Sequence, residues 1–292
     1  MNTAILQGKS AIVTGANQGL GREIARVYAQ AGASLLICAR DPDLLKSAQQ
    51  ELSQSLLPGQ FIDAIAADVS NGESVNSLVD RALQRFGQID ILVNNAGVYG
   101  PMGAIEEVDW QAWLKTIEIN LFGSILMCKA VLPNMKGRHA GKIIQISGGG
   151  ATMPMPMVSA YAVSKAAVVR FTDTLAEEVR EFGIDVNALA PGALNTRMLD
   201  EVLAAGPCKV GKTFFERSNQ QKISGGAGLE RGVALALFLA SAASDGITGK
   251  LISAHWDRWD EWPEYIDELR RSDAYTLRRI VGRDRDMPWG DK

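Results

Sequence analysis

AIVTGANQGLG, residues 11–21, decides the fold. Three apolar residues run into a glycine-rich turn, and a stretch of helical period follows. Gly15 suits a tight turn, Gly19 allows the backbone to approach a pyrophosphate closely, and Gly21 allows close helix packing. The free N–H groups and the dipole of the helix N-terminus then favour an anion. The stretch predicts a phosphate-binding strand–turn–helix unit, although three glycines alone also fit an ordinary loop.

Short apolar runs alternate with stretches of helical period along most of the chain, as in βαβ units with a parallel sheet. Right-handed crossovers place helices on both faces of such a sheet. We therefore predict an α/β fold over residues 1–253, a doubly wound parallel sheet in a Rossmann-like three-layer sandwich. The predicted strands are 9–14, 34–39, 61–67, 89–94, 142–147, 184–190 and 249–253, and the predicted helices are 19–32, 42–57, 71–86, 109–135, 158–182 and 229–242.

Two regions depart from this alternation. The stretch 192–228 contains Gly, Pro and Ser and is predicted to be a loop beside the substrate. Residues 254–292 form a polar C-terminal extension that holds four of the six tryptophans. Its tryptophans 256, 259 and 262 recur at every third position, which fits either packing against the domain or a neighbouring subunit, or a contribution to the substrate pocket. Its arginines fit an anionic group under the second interpretation; they are Arg270, Arg271, Arg278, Arg279, Arg283 and Arg285.

Composition excludes several classes of partner. The 292 residues carry 30 basic and 33 acidic side chains, so there is no charge excess for nucleic acid or an acidic membrane surface. Three cysteines without CxxC spacing and two histidines provide no zinc set, and we expect no metal. No signal-like start or long apolar run is evident, so we expect a cytoplasmic protein that acts on a small molecule.

Further motifs follow the glycine turn in a fixed order. NNAG occupies 94–97 after an apolar strand, and YAVSK occupies 161–165; AADV at 66–69, Asn120 and PGALNT at 191–196 complete the set. Over residues 8 to 252 the sequence resembles the short-chain dehydrogenase/reductase family in its TGxxxGxG and YxxxK form. The resemblance implies a nicotinamide cofactor held by Gly15, Asn17, Gln18, Gly19, Leu20, Asp68, Val69, Asn95, Ala96, Gly97, Tyr161, Lys165, Pro191, Gly192, Leu194 and Thr196.

The end of the second predicted strand bears on which nicotinamide cofactor binds. An acidic residue there would hydrogen-bond the ribose 2′-hydroxyl of NAD, whereas an arginine can pair with the 2′-phosphate of NADP. Ala39 occupies the acidic position and Arg40 follows it. We therefore favour NADP over NAD, with Asp41 as the residue that would reverse this preference if the turn shifts.

Tyr161 and Lys165 are the predicted catalytic pair. Four residues apart on a helix, they lie on one face one turn from each other. A phenol is a poor acid or base at neutral pH, and a nearby ammonium together with the positive charge of the cofactor is expected to lower its pKa. By resemblance, Lys165 also contacts the nicotinamide ribose, and Asn120 holds a water molecule that relays protons.

The residue expected to donate a hydrogen bond to the substrate oxygen is missing. In the family a serine typically precedes the tyrosine by about 13 residues, but here that position is Gly148. Ser147 adjoins it, and neighbouring strand residues point to opposite faces. Ser147 could reach the oxygen through a twisted loop, Ser159 or a residue of the extension could replace it, or Tyr161 could act alone. Loss of one such donor typically costs about 10²–10³ in rate.

These observations predict an NADP-dependent oxidoreductase that interconverts a secondary alcohol and a ketone, on a polar or sugar-like substrate. The catalytic residues would be Tyr161, Lys165, Asn120 and Ser147. Gly148 favours an alternative, a cofactor-binding sensor or scaffold protein with little turnover. By resemblance, a homodimer or homotetramer would assemble through the helices at 109–135 and 158–182.

Overall fold

A computed structural model describes residues 4–287 and residue 289. Residues 1–3 of the predicted domain, and residues 288 and 290–292 of the extension, lie outside the described residues. Seven strands form one parallel sheet in the order β3-β2-β1-β4-β5-β6-β7. This confirms the predicted doubly wound α/β fold. The strands are β1 Ser10–Thr14, β2 Ser34–Ala39, β3 Ile62–Ala66, β4 Ile91–Asn94, β5 Gly141–Ile146, β6 Ile184–Ala190 and β7 Leu251–Ser253.

Helices cover both faces of the sheet. The helices that connect or follow the strands are α1 Gly19–Gln30, α2 Pro42–Ser53, α3 Gly72–Phe86, α4 Trp110–Ile117, α5 Gly123–Arg138, α6 Ser159–Glu178 and α10 Leu229–Ala240. Since the strands are buried on both sides, side chains alternate between two cores. Ile144 and Ile146 of β5 face a core shared with α1 and α10, whereas Ile143 faces a core shared with α3 and α5.

The strand order reverses next to β1, which pairs with β2 on one side and with β4 on the other. In open α/β sheets, ligands bind outside the carboxyl ends of the strands at such a switch point. The glycine turn after β1 and the NNAG motif at the end of β4 both lie there. The topology therefore brings together motifs that are about 80 residues apart in the chain.

The segment after β6 is more regular than the sequence indicated. The region predicted as a loop, 192–228, contains three helices: α7 Arg197–Ala205, α8 Pro207–Val210 and α9 Lys212–Ser224. Glycines with positive φ separate them, Gly206 at 77° and Gly211 at 79°. The frequent glycines are thus helix boundaries, where left-handed backbone favours glycine.

The C-terminal extension packs on the outside of the α1 and α10 face. Trp259 and Trp262 are 7% and 5% exposed and belong to the core on that face. Trp256 of the same triplet is 85% exposed. Beyond them, α11 spans Ile266–Arg271. Trp259 and Trp262 therefore serve packing, the first of the two interpretations of the triplet, whereas Trp256 does not.

The extension also covers the edge of the sheet. The Leu251 amide of β7 donates to the Tyr275 carbonyl at 2.7 Å, and the Lys250 ammonium donates to the carbonyls of Ser272 and Ala274. Exposed edge strands are templates for pairing with another chain. In this protein the C-terminal extension covers the edge strand β7.

The continuous helical run Trp110–Arg138 is, in the described part of the chain, the one segment long and apolar enough by composition to cross a membrane. Half of its most apolar window is buried inside the fold. The sequence had indicated no run of that length, because polar side chains interrupt it.

Candidate active site

The glycine turn after β1 is shaped by close contact with the NNAG motif. At Gly15, with φ of 64°, a Cβ would lie 2.9 Å from the Ala96 Cα. At Gly21 a Cβ would lie 2.5 Å from the Gly15 carbonyl oxygen. Neither position has space for a side chain. The tight turn and the close helix packing predicted for these two glycines are both present.

Thr14 and Asn95 connect the two motifs. The Thr14 hydroxyl accepts hydrogen bonds from the amides of Asn95 and Ala96, both at 3.0 Å. The Asn95 side-chain amide donates to the carbonyls of Thr14 at 2.9 Å and Gly15 at 3.0 Å. Asn95 therefore holds the turn in place from behind, a structural role beside the cofactor contact implied by the resemblance.

The N-terminus of α1 opens onto the same cleft. Gln18 is its N-cap residue, and no side chain caps the helix. Gly15, Asn17, Gln18 and Gly19 are partly exposed, while Leu20 is buried beneath them. Uncapped N–H groups at a helix N-terminus can bind an anion. These residues therefore fit a phosphate group.

The loop after β6 closes the other side of the cleft. At Gly19 a Cβ would lie 3.6 Å from the Thr196 methyl carbon, so the turn faces this loop directly. Pro191 is buried, Gly192 is exposed with φ of 89°, and Leu194 forms a bridge with Ala227. The predicted cofactor residues of this loop thus lie opposite the glycine turn.

One residue of the extension reaches this loop. At Gly192 a Cβ would lie 2.5 Å from the Cδ2 atom of His255, which follows β7 by two residues. The Nε2 atom of His255 is buried and has no hydrogen-bond partner among the described residues. The extension therefore touches the cleft through its first residues, while its buried tryptophans lie on the core face.

The ends of β2 and β3 flank the cleft beyond the turn. Arg40 is exposed directly after β2, and Ala39, the last residue of the strand, is buried. The Asp41 carboxylate caps α2 by accepting hydrogen bonds from the amides of Asp43 and Leu44, each at 3.0 Å. Asp41 is thereby committed to the helix.

Asp68 and Val69 follow β3. Burial is the largest single effect on the pKa of Asp68, and it raises that pKa. Hydrogen bonds from Ser70 and the charges of Lys115 and Arg40 together outweigh burial, so the pKa of Asp68 is lowered. Arg40 and Asp68 thus lie close enough to interact. Val69 is buried against Gly123 of α5.

Asn120 lies in a π-helical segment, Glu118–Phe122, between α4 and α5. Single π turns inside α-helices are frequent at functional sites. Its amide nitrogen donates to the Val98 carbonyl and the Ser164 hydroxyl, both at 2.9 Å, and its oxygen accepts from the Val98 amide at 2.9 Å. The side chain of Asn120 therefore joins the loop after β4 to α6; the water-holding role remains a prediction.

Tyr161 and Lys165 of α6 face the ends of β4 and β5. The Lys165 ammonium donates to the Ile146 carbonyl at 2.7 Å and lies 5.8 Å from the centroid of the Tyr161 ring. A Cβ at Gly97 would lie 3.6 Å from the same ammonium. The structure thus places both predicted catalytic side chains at the edge that carries the glycine turn.

Burial determines the ionisation of this pair in the chain without cofactor. It raises the pKa of Tyr161 well above its usual value, with the neighbouring Tyr99 as the second cause, and it lowers the pKa of Lys165 to about 8. In the chain without cofactor, burial therefore sets the direction of the Tyr161 pKa. The lowering expected from Lys165 together with the cofactor charge stays a prediction. Tyr161 is a neutral phenol at neutral pH.

The end of β5 departs from the family pattern. Ser147 lies just past the strand and is 3% exposed, and its hydroxyl oxygen is buried without a hydrogen-bond partner among the described residues. The position that a Cβ at Gly148 would take is occupied by the Tyr161 hydroxyl. Ser147 therefore does not open onto the cleft, and Gly148 leaves space that Tyr161 fills.

Sequence reasoning missed Tyr99. Its ring packs on Tyr161 with centroids 4.5 Å apart and planes tilted by 53°. The only available signal was an aromatic residue two positions after NNAG. The residues described also contain no group of three or more His, Cys, Asp or Glu side chains that could hold a metal ion.

Comparison with known proteins identifies the family. A family model of short chain dehydrogenases matches residues 9–205. Dehydrogenase/reductase SDR family member 7B of Bos taurus is 35% identical over 211 residues, which cover 71% of this chain and 65% of that protein. The chain therefore belongs to the short-chain dehydrogenase family, which confirms the resemblance. The aligned part spans less than two thirds of the bovine relative.

Two further proteins carry more specific names. An L-fucose dehydrogenase of Oryctolagus cuniculus is 34% identical over 200 residues, covering 68% of each chain. A solved structure of an NAD⁺-bound xylitol dehydrogenase superposes with a TM-score of 0.77 and 26% identity, covering 85% of this chain and 98% of the other. The family model thus includes β1 to β6, and the likeness to the solved structure covers 85% of the chain.

Proposed function

We propose that the protein is an NAD(P)-dependent oxidoreductase that interconverts a secondary alcohol and a ketone. The observation that carries this proposal is the position of Tyr161 and Lys165, which face the same sheet edge as the glycine turn and the Gly97 loop. A dinucleotide bound along that edge would supply or accept the hydride. Because the glycine turn carries no side chains at Gly15, Gly19 and Gly21, a pyrophosphate can approach its backbone closely.

The roles of the chain's own residues follow from their surroundings. Tyr161, a neutral phenol kept protonated by burial, donates its proton to the carbonyl oxygen during reduction and takes it back during oxidation. Lys165, fixed by the Ile146 carbonyl, holds the ribose end of the cofactor and provides a positive charge beside the phenol. Asn120 keeps the loop after β4 against α6, so that the walls of the cleft do not separate.

We further propose NADP as the preferred cofactor. Arg40 is exposed at the end of β2, Ala39 offers no carboxylate, and Asp41 is engaged as the cap of α2. A 2′-phosphate would find a guanidinium at this position, beside a carboxylate that already accepts two backbone hydrogen bonds. The structural neighbour with xylitol as substrate is NAD⁺-bound, so the preference rests on these three residues of this chain.

The substrate that we propose is a polyhydroxylated alcohol or the corresponding ketone. L-fucose, a sugar, and xylitol, a sugar alcohol, are the substrates in the names of two similar proteins, and both carry several hydroxyl groups. Polar side chains lie beside the cleft. They include Glu201 of α7 and Asn195 of the segment that links β6 to α7. Hydroxyl-rich ligands suit such surroundings because each hydroxyl can both donate and accept.

We also propose a homo-oligomer that forms through the long helices. Large apolar side chains are exposed on them: Trp110 at 56%, Phe122 at 50% and Val163 at 51%. Isologous contacts between such faces are the commonest way to form a homodimer. Light scattering coupled to gel filtration tests this: a mass of one chain at micromolar concentration contradicts it.

A turnover assay with both cofactors tests the proposed chemistry. Xylitol, L-fucose, D-xylulose and cyclohexane-1,4-dione are supplied in turn, and the change in absorbance of the reduced nicotinamide is followed. We expect turnover with at least one substrate, and a loss of about 10²–10⁴ in kcat for Tyr161→Phe with cofactor affinity retained. Tight cofactor binding without turnover, and a Tyr161→Phe variant equal to wild type, would favour the sensor alternative that Gly148 suggests.

A further inference from the structure

The site holds a second hydroxyl that the family pattern does not assign. The place of the usual serine is Gly148, where the Tyr161 hydroxyl already occupies the space of a Cβ. A carbonyl oxygen that receives a proton from Tyr161 gains from a second donor, since negative charge develops on it in the transition state. The question is which hydroxyl near Tyr161 is free to donate.

Two serines near Tyr161 are the first candidates. The backbone at Gly148 is extended, so the Ser147 side chain points to the face opposite the one on which a Gly148 Cβ would meet Tyr161, and its hydroxyl is buried. The Ser159 hydroxyl lies at the start of α6 and accepts a hydrogen bond from the Trp113 indole of α4 at 3.1 Å. It serves to join α4 to α6.

Tyr99 remains. Its ring is half-buried and packs on the Tyr161 ring at 4.5 Å, and no side-chain hydrogen bond is made by its hydroxyl among the described residues. Tyr99 is also the second cause of the raised pKa of Tyr161, as expected for adjacent phenols. Tyr99 sits on the loop that Asn120 fixes through Val98, one residue away. The backbone beside Tyr99 is therefore anchored by Asn120.

Tyr99 is also a donor at working pH. Burial raises its pKa, and the Glu201 carboxylate of α7 raises it further. The hydroxyl thus keeps its proton at neutral pH. Glu201 belongs to the first helix after β6, so Tyr99 lies between Tyr161 and the segment that covers the substrate side of the cleft.

We propose that Tyr99 donates the second hydrogen bond to the substrate oxygen, in the place of the family serine. The inference rests on the proposed function, because it requires a carbonyl or alkoxide oxygen at Tyr161. The two phenols then form a pair: Tyr161 transfers the proton, and Tyr99 stabilises the oxygen without transferring its own. Gly148 makes room for the Tyr161 hydroxyl in this pair, since a side chain at position 148 would displace it.

The substitution Tyr99→Phe tests the proposal, because it removes the hydroxyl and keeps the ring that packs on Tyr161. We expect kcat to fall by about 10²–10³ with the best substrate of the panel, as for loss of one donor to a developing oxyanion. The dissociation constant of NADPH, followed by fluorescence, stays unchanged. Tyr265→Phe, which alters an exposed tyrosine of the extension, is the matched control and retains wild-type kinetics.

The outcomes separate this inference from the proposed function. If wild type turns over a substrate and Tyr99→Phe keeps kcat within about threefold, a change too small for a lost oxyanion donor, Tyr99 is a packing residue and the inference is wrong. If NADPH binding is lost along with kcat, the substitution acts on the fold of the cleft, and the inference is wrong as well. If wild type binds NADPH and turns over nothing, the proposed function fails, and this inference fails with it.

Discussion

The two ends of the cleft differ in how closely they follow the family. At the end that carries the glycine turn, the phosphate end of the proposed site, Gly15 and Gly21 are in contact with atoms that leave no room for a side chain. At the reacting end, Tyr161 and Lys165 are in place, but the residue beside the phenol is Gly148. Backbone contacts fix the phosphate end, so that it tolerates little change. The reacting end depends on a few side chains, which can be exchanged for others that donate equally well.

A large effect is expected at Gly148. Because Tyr161 fills the space of a Cβ there, both Gly148→Ala and Gly148→Ser should displace the phenol. A misplacement of about 1 Å can cost on the order of 10² in rate, and we expect losses of that size in kcat for both variants. Steady-state kinetics with the best substrate provides the measurement.

The pair of variants separates two explanations of the glycine. If the site merely lacks a hydroxyl, Gly148→Ser should be more active than wild type, and Gly148→Ala should not. If the phenol needs the space, serine and alanine are equally harmful. Gly137→Ala is the control, since a Cβ at Gly137 meets no atom within 4 Å and its backbone, near the end of α5, is helical.

A smaller effect is expected from Lys165. Burial lowers its pKa to about 8 in the folded chain from 10.5, so between these values the unfolded chain holds more protons. The free energy of unfolding therefore rises with pH in this window. Relative to Lys165→Met, wild type should gain roughly 1–2 kcal/mol between about pH 8 and about pH 9.5.

Urea denaturation at a series of pH values measures this difference, and the comparison with Lys165→Met cancels the other titrating groups. An equal pH dependence for both proteins would mean that Lys165 is ionised as freely in the fold as in water. The charge that Tyr161 meets at the reacting end would then be stronger than the burial of Lys165 indicates.

The smallest effect is expected at the far end of the cleft. Removal of the guanidinium in Arg40→Ala should weaken NADPH binding about tenfold or more, the value of a hydrogen bond to a charged group, and leave NADH binding unchanged. Arg258→Ala, at an exposed arginine of the extension, is the control. Equal affinity of wild type for both cofactors would contradict the assignment of NADP.

Sequence patterns predicted the phosphate end almost completely. The glycine spacing, the NNAG motif and the alternation of elements depend on backbone geometry, which a short stretch of sequence specifies by itself. The commitment of Asp41 to α2 could have been foreseen as well, because Asp before Pro42 is a common N-cap. Arg40, the residue before Asp41, was predicted as a cofactor residue from the same stretch.

The reacting end was predicted less well, for physical reasons. Tyr99 meets Tyr161 only because β4 and α6 are brought together in three dimensions, and 62 positions separate the two residues in sequence. The rise in the Tyr161 pKa in the chain without cofactor was not foreseen, because spacing shows the nearby ammonium but not the loss of water around the phenol. The helices α7 to α9 were missed since their frequent glycines indicated a loop.

Hydride transfer itself is the most direct test of the central claim, that Tyr161 acts on a carbonyl beside a bound nicotinamide. Reduction of the best ketone with NADPH deuterated at nicotinamide C4, on the transferred face, is followed by mass spectrometry of the product. We predict one deuterium on the carbinol carbon with wild type and a rate lower by about 10²–10⁴ with Tyr161→Phe. Unlabelled product, or equal rates of labelling by the two proteins, would contradict the account.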